Sequence, residues 1–558
     1  MKKINISILA CTLFLSLGCE QVLVEAPQSQ IVPSYFNSPA GVLGGIAGVY
    51  NEIRNQWGTE GFSSEMQAGT DEFVQGASSG GGPIHTFNGL NSNNFGSAWG
   101  TSFTSINTLN GVLKFGQSID LPEATKKQYL AQAKFLRAYW YFYLVQTWGD
   151  VPLHTEFITV PSQAAKRDPA LEVYKLIIQD LTEAAAALPD KSTAPFLGKA
   201  ATKPVAQFFL AKAYLTRGWL TNSQADFAEA AKISNDIIAN KAVYGLDLWQ
   251  DFGDAFAPAN DYGKETMFVS DHSNDAKFGY YTVGSGASGG GAQNLTPWFT
   301  NWNYPNNSGV NSTVNTSGVL VNSGTSLMVR DSQYGRPYQR LRPNSVKQTS
   351  GKNYFLDQAF VKRDIDSRFA NTFYTVYIAN QSITNSATAT NNKRGIGYTT
   401  QVGVDTAVWL PDFEVPGAPQ FNGTRPFKGL IIPPSLWKAD VYPAIKKHMD
   451  PSRGTNFNDP STRPVVITRF AEVYLIGAEA YLQAGNKEKA AELLNVVRQR
   501  AAYRKTNTAA QNIAAANAML IKADDVTVDF ILDERSRELF GEWMRYQDLV
   551  RTKSLIRR

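Results

Sequence analysis

Cysteine is almost missing from this chain of 558 residues: Cys11 and Cys19 are the only two, and both fall in the first twenty positions. The body of the protein therefore has no disulfide, no thiolate metal site and no cysteine nucleophile. Histidine is scarce too. His85, His154, His272 and His448 are scattered without metal-ligand spacing, and no His-Glu-x-x-His is present. Charge of one sign is lacking: 53 basic residues stand against 48 acidic ones, and a net charge of +5 is too small at this length for a nucleic-acid surface. Long apolar runs are missing after residue 17, so no later segment has the roughly 20 apolar residues of a membrane-spanning helix. Nothing in the sequence calls for a cofactor or a metal.

What is present is apolar and aromatic residue in quantity, 43% and 12% of the chain, enough for a large buried core. Gly, Tyr, Trp and tracts of Asn, Ser and Thr give the polar, loop-rich character of an extracytoplasmic protein. The amino terminus fits that location. Lys2 and Lys3 precede a mostly apolar stretch over 4–17, too short to cross a bilayer and the right length for a signal peptide. It ends Leu15-Ser16-Leu17-Gly18-Cys19, which resembles a lipobox, with Ser16 at the position where Leu is usual. Ile8-Leu9-Ala10-Cys11 matches more tidily but leaves too short an apolar stretch. The expectation is a signal peptide over 1–18, lipidation at Cys19, a polar tether over 19–33, and acyl chains as the only anchor.

Helical periodicity begins at 40–53 and continues at 103–115, with a Gly-Ser loop over 76–82 between them. Stronger helices follow at 122–148, 171–188, 200–219 and 225–239. Glu123 suits the positive end of the first of these, and Gly149-Asp150-Val151-Pro152 stops it. Residues 251–425 read as a loop-rich insertion: Gly-Ser at 284–291, Asn-Ser-Thr tracts near 306–326 and 380–393, and short β-like runs such as 373–378. Helices return at 465–484, 487–502 and 526–550. Tyr474, Ala478 and Tyr481, with Ala490 and Leu494 facing back after Gly485, follow the small-large order of a tetratricopeptide hairpin. Ala211, Tyr214 and Gly218 repeat that order before 225–239.

Three segments together resemble the SusD/RagB family. The first is the aromatic run 135–145 closed by Trp148-Gly149-Asp150-Val151-Pro152-Leu153. The second is Tyr442-Pro443 with Lys446 and Lys447, then Arg469 and Ala-Glu-Val-Tyr-Leu-Ile-Gly-Ala-Glu-Ala over 471–480. The third is Glu534-Arg535-Ser536-Arg537-Glu538-Leu539-Phe540-Gly541-Glu542 with Arg545 and 548–551. Trp543 departs from this pattern, which commonly has Gly there, and the Pro-rich tail usual after this helix does not follow before Arg558. The resemblance implies a mainly α fold, with tetratricopeptide-like helical pairs in a right-handed superhelical scaffold and a loop-rich irregular insertion. The parts are a helical segment over 34–250, the insertion over 251–425 as ligand-binding face, and a helical segment over 426–558. It further implies a non-enzymatic lipoprotein of the outer membrane, facing the cell exterior, that hands oligosaccharides, or in some branches peptides, to a TonB-dependent transporter.

Within the insertion, Trp298, Phe299, Trp302 and Tyr304 fall among Asn301, Asn303, Pro305 and Asn306. A sugar offers an apolar face and a rim of hydroxyls, which rings and amides respectively can take. The expectation is an exposed platform of Trp298, Trp302 and Tyr304 with Asn301 on the rim. Asp71, in a segment that approaches the ligand in relatives, and Trp57 are further candidates, whereas Trp99 opens a helical stripe and is expected in the core. The charges over 534–551 are spaced for lateral ion pairs on a helix. Two other functions compete. A glycoside hydrolase needs two carboxylates flanking a sugar, and Asp364, Asp366, Asp412 and Glu414 are not singled out for that by their surroundings. A tetratricopeptide adaptor would bind a protein segment in its groove.

Overall fold

The computed structural model describes residues 33–558 apart from 79–81, 92–93, 161–165, 193–197, 274, 276–293, 306–311, 315–319, 323–327, 346–352, 383–400, 417–419, 422–429 and 454–459. The signal peptide, Cys19, most of the tether, and the tract over 284–291 lie outside the described residues.

Among the described residues, the α-helices of seven residues or more are α1 (Pro39–Gln56), α2 (Glu60–Gln67), α3 (Trp99–Phe115), α4 (Glu123–Trp148), α5 (Ala170–Ala187), α6 (Lys203–Thr221), α7 (Gln224–Ala239), α8 (Phe470–Gln483), α9 (Lys487–Ala501), α10 (Ala509–Ala518), α11 (Val528–Leu539) and α12 (Arg545–Arg551). From α3 to α7 each helix packs on the next, and α8 packs on both α7 and α9, so tetratricopeptide-like pairs from the two ends of the chain join into one stack. The small-large order explains the close approach. A Cβ added at Gly218 would sit 2.7 Å from the Phe227 ring, so only glycine lets α7 close onto α6 there. Ala478 on α8 meets Ala490 and Leu494 on α9 in one apolar cluster. Helix α4 ends at Gly149, whose φ of 72° with ψ of −118° is a backbone conformation that glycine adopts without steric cost.

Several boundaries differ from the expectation, each for a local reason. The helix expected over 465–484 starts only at Phe470. Val465–Arg469 is instead a strand, β-branched and paired antiparallel with Thr266–Ser270. The helix expected over 526–550 breaks between α11 and α12, where Gly541 has φ 75° and Trp543 has φ 62°. A left-handed turn costs a non-glycine residue about 1–2 kcal/mol. At Trp543 the return is burial: its indole is fully enclosed, stacks on His448 at 5.3 Å and meets Phe299 edge-on at 5.9 Å. Helices α2 and α10 were not expected. Both are short and weakly apolar, and α10 holds its start with a capping box of Thr508 and Gln511.

Residues of the 251–425 stretch are tied into the helical stack by charge as well as by the paired strand. Arg469 reaches Glu265 at 2.7 Å, Glu538 at 2.6 Å and Glu542 at 2.8 Å. Arg368 reaches Glu534 at 2.7 Å and Asp366 at 2.6 Å. The charges of 534–551 are therefore structural, but they are buried and join different elements, whereas lateral surface pairs were expected. Only Arg537–Glu534 and Arg551–Asp548 run along one helix. Glu534 and Glu538 each face three guanidiniums, Glu265 faces two, and Glu542 faces Arg469 and the Lys447 ammonium, so the buried charges are compensated. No helix among the described residues is long and apolar enough to cross a membrane.

Candidate functional site

The expected exposed platform does not form. Trp298, Asn301, Trp302 and Tyr304 do come together, but all four are wholly buried. Trp302 donates its indole N–H to the Tyr377 hydroxyl at 2.7 Å, and Tyr304 donates to the Gly335 carbonyl at 2.9 Å. Asn301 works as a spacer: its carbonyl accepts from the backbone N–H groups of Tyr338 and Gln339, and its amide donates to the Gly335 carbonyl. These rings and Tyr334 form a closed layer beneath the segment 330–342. The reason is local. A polar neighbourhood in sequence says nothing of what a distant segment lays on top, and here residues 331–340 cover the run.

Trp57 and Asp71 are buried as well, and neither joins that layer. Trp57 donates to the Tyr139 hydroxyl at 2.6 Å beside a cavity of about 30 Å3, room for a water and not for a sugar. Asp71 accepts from Nε and Nη2 of Arg545 at 2.7 Å, and from Arg558 at 2.8 Å. Glu72 beside it accepts from Ser536 at 2.7 Å. The strand that follows, Phe73–Gln75, pairs antiparallel with Leu341–Pro343.

What reaches the surface lies on two sides of the start of α2. On one side is the segment 336–340, in which Arg336, Pro337, Tyr338 and Arg340 are partly exposed and Gln339, with φ 49°, is buried. The Arg336 guanidinium lies 4.7 Å from the centre of the Trp298 ring and 5.5 Å from that of Tyr338. Arg340 lies 4.2 Å from the Tyr338 ring, and its Nε is 2.9 Å from Glu60, the first residue of α2. On the other side, Gly61 of α2 abuts Ser97, where an added Cβ would sit 3.2 Å from the serine's Cβ. Glu65 fixes that turn by accepting from Gly96 N and Ser97 N at 2.9 Å and from Ser97 Oγ at 2.8 Å. Two residues on, Trp99 emerges, 37% exposed, with its ring 5.0 Å from both Trp148 and Phe103.

Trp99 is thus not the core residue expected. The buried stripe of α3 runs through Ser102, Ser105, Ile106, Leu109 and Val112. Trp99 and Phe103, four apart, occupy the neighbouring stripe. Serines on the core face hid that division. Tyr338 and its flanking arginines were missed too, because Arg-Pro-Tyr-Gln-Arg-Leu over 336–341 carries no periodic pattern. Three of the four carboxylates weighed for hydrolysis have other work: Asp366 pairs with Arg368, Asp412 with Arg363, and Glu414 accepts from Ser435 at 2.7 Å.

Comparison with known proteins agrees with this architecture. The model of the SusD family matches residues 433–555, and that described as starch-binding, associating with outer membrane, matches residues 24–215. A SusD-like protein, P2, of Formosa agariphila is 32% identical over 281 residues, covering 49% of this chain and 53% of the relative. A SusD-like protein of Bacteroides ovatus is 29% identical over 186 residues, 32% of each chain. The chain thus spans about half or less of the length of these curated relatives. Among solved structures, a laminarin-binding SusD-like protein superposes with a TM-score of 0.62 at 20% identity, covering 93% of this chain and 92% of that one. B. fragilis NanU gives 0.64 at 20% identity, covering 95% and 93%. The chain belongs to the SusD/RagB family.

Proposed function

We propose that this protein is a lipid-anchored binder of oligosaccharides at the outer surface of the outer membrane, delivering them to a TonB-dependent transporter without catalysing a reaction. The single observation that carries the reading is the half-exposed aromatic face of Trp99, Trp148 and Phe103, set beside the Tyr338 segment across the start of α2. An indole held against a second indole keeps one flat side for the C–H face of a pyranose and loses little entropy on binding. In this reading the 34–250 part supplies one arm of the face, the 251–425 stretch supplies the other, and the 426–558 part supports both. The names of similar proteins, among them a laminarin-binding SusD-like protein, point the same way.

The test is a glycan array on the mature protein, followed by titration of the best ligand against the Trp99→Ala variant. Trp99 caps no core, so its loss leaves the melting temperature within a few degrees of the parent. Affinity falls at least about tenfold, which corresponds to roughly 1.4 kcal/mol. An unchanged affinity in folded Trp99→Ala, or an array with no bound glycan, would overturn the reading.

A further inference from the structure

We propose that Asn88 is a site of spontaneous covalent modification: attack by the backbone nitrogen of Gly89 removes its side-chain amide and leaves aspartate and isoaspartate in the segment between α2 and α3. The inference stands apart from the saccharide-binding reading and does not depend on it.

The reaction makes demands on the backbone. Base draws the proton from the Gly89 nitrogen, which attacks the side-chain carbonyl carbon of Asn88. A new carbon–nitrogen bond closes a five-membered succinimide. The bond to the amide nitrogen breaks, and that nitrogen leaves with a proton as ammonia. Water then opens the ring at either carbonyl, which gives aspartate or isoaspartate. Nothing is oxidised or reduced, and water is the one co-reactant. The attacking nitrogen has to be free of a hydrogen bond, the residue carrying it has to be small, and the chain has to turn enough to bring the two groups together. Glycine meets the second and third demands best.

Asn-Gly occurs at 88–89, 110–111 and 422–423, the last outside the described residues. The structure separates the other two. Asn88 and Gly89 are both exposed, in a bend just after the single turn Pro83–His85. Left-handed backbone stands on each side of Asn88, with φ 54° at Phe87 and 73° at Gly89. The Phe87 ring anchors the turn by abutting Gly69, where an added Cβ would lie 2.9 Å from it. The Asn88 N–H donates to Thr86 Oγ1 at 3.3 Å. Among the described residues no hydrogen bond holds the Asn88 side-chain amide or the Gly89 N–H. A Cβ placed on Gly89 would meet no atom within 4 Å. Water and base therefore reach the nitrogen, and rotation of this exposed bend disturbs little packing.

Asn110 is the opposite case. It is 2% exposed on α3, donates to the carbonyls of His154 at 3.0 Å and Glu156 at 3.2 Å, and accepts from Arg137 Nη1 at 2.9 Å. Gly111 lies within the helix, its N–H committed to the helical ladder, and an added Cβ there would sit 2.5 Å from the Phe36 ring. Ring closure at Asn110 would break the helix and three side-chain hydrogen bonds. The same dipeptide is open to reaction in one place and locked in the other.

The mature protein is incubated at neutral and at mildly alkaline pH and sampled over days. Peptide mapping by mass spectrometry locates the acid, and labelling with an isoaspartyl methyltransferase counts isoaspartate. Asn88 should react at least about tenfold faster than Asn110, faster again at the higher pH, with isoaspartate among the products. In denaturant, where α3 is lost, Asn110 should come within about threefold of Asn88. Asn88→Gln, which has to close a larger ring, should abolish the acid at this position. Native Asn110 reacting as fast as Asn88 would overturn the proposal. So would an Asn88 that stays intact while the unfolded chain reacts, or aspartate without isoaspartate, which marks direct hydrolysis.

Discussion

Trp302 and Tyr377 face each other edge to plane, ring centres 5.3 Å apart, with the indole N–H donated to the phenol oxygen at 2.7 Å. They lock the floor under the candidate face. Trp302→Ala should therefore lower stability by about 3–5 kcal/mol, the ordinary loss for a buried tryptophan. Trp302→Phe should lose less, about 1–2 kcal/mol of which comes from the unpaired Tyr377 hydroxyl. Chemical denaturation measures both. A variant as stable as the parent would place Trp302 at the surface after all.

The buried charges give a second expectation. Arg469 faces three carboxylates, Glu265, Glu538 and Glu542. Against the burial that would raise it, Arg500, Arg469 and Arg368 hold Glu538 down at about 2. Arg469→Met leaves those carboxylates short of a partner and should cost about 3–5 kcal/mol in a denaturant midpoint series. A loss under about 1 kcal/mol would show that the neighbouring arginines suffice.

Glu72 has a distinctive pH signature. Burial pushes it up to about 7; Asp71 adds to the shift, while Arg545 and Ser536 oppose it. A folded pKa above the unfolded value means that this group's contribution is whole below about 4.5 and is lost as pH rises through 7. Glu72→Gln should then melt higher than the parent at pH 8, by about 1–3 kcal/mol of stability, with the gap closing near pH 4.5. His448 acts oppositely. Burial lowers it to about 4, so its contribution is whole above about 6.5 and is lost as pH falls through 4. A Glu72→Gln gap that stays constant from pH 4.5 to 8 would remove the titration from Glu72.

Gly218→Ala tests the helix stack. The new methyl would lie 2.7 Å from one carbon of the Phe227 ring and 2.8 Å from another, so a rigid aromatic has to move. The expected loss is about 1–3 kcal/mol, read as a lower melting temperature with unchanged helicity by circular dichroism. A stabilised variant would mean that α6 and α7 are less tightly apposed.

Anchoring is tested by fractionation. The Cys19→Ala protein should leave the membrane pellet, since acyl chains are the proposed hold on the bilayer. Retention of Cys19→Ala with release of Cys11→Ala would move the lipidation site.

The helical stack was legible because its signal is local. Tyr474, Ala478, Ala490 and Leu494 repeat at helical spacing, and Gly149 with Pro152 marks a stop that needs no distant information. The family resemblance was carried by residues whose physical roles are now visible: Glu538, Arg469 and Lys447 share one buried network. The candidate face was not legible, because exposure depends on what a remote segment covers. Trp302 sits among asparagines and is buried by 331–340; Trp99 opens an apolar stripe and stands out in solvent. Trp543 departs from the usual glycine for a tertiary reason, the packing of its indole on His448 and Phe299.

The grip of Arg545 on Asp71 joins residues 474 positions apart. Contacts of such sequence separation form late, because the chain must close a very long loop before the contact repays that loss. The strand that follows Asp71 is the one paired with Leu341–Pro343, next to Arg340. The arm proposed to face ligand thus sits beside a strand pairing that closes a long loop of chain. A chain emerging amino terminus first can assemble α1 to α7 long before the arm is in register. The proposed binding face therefore depends on contacts between segments that lie far apart in the chain.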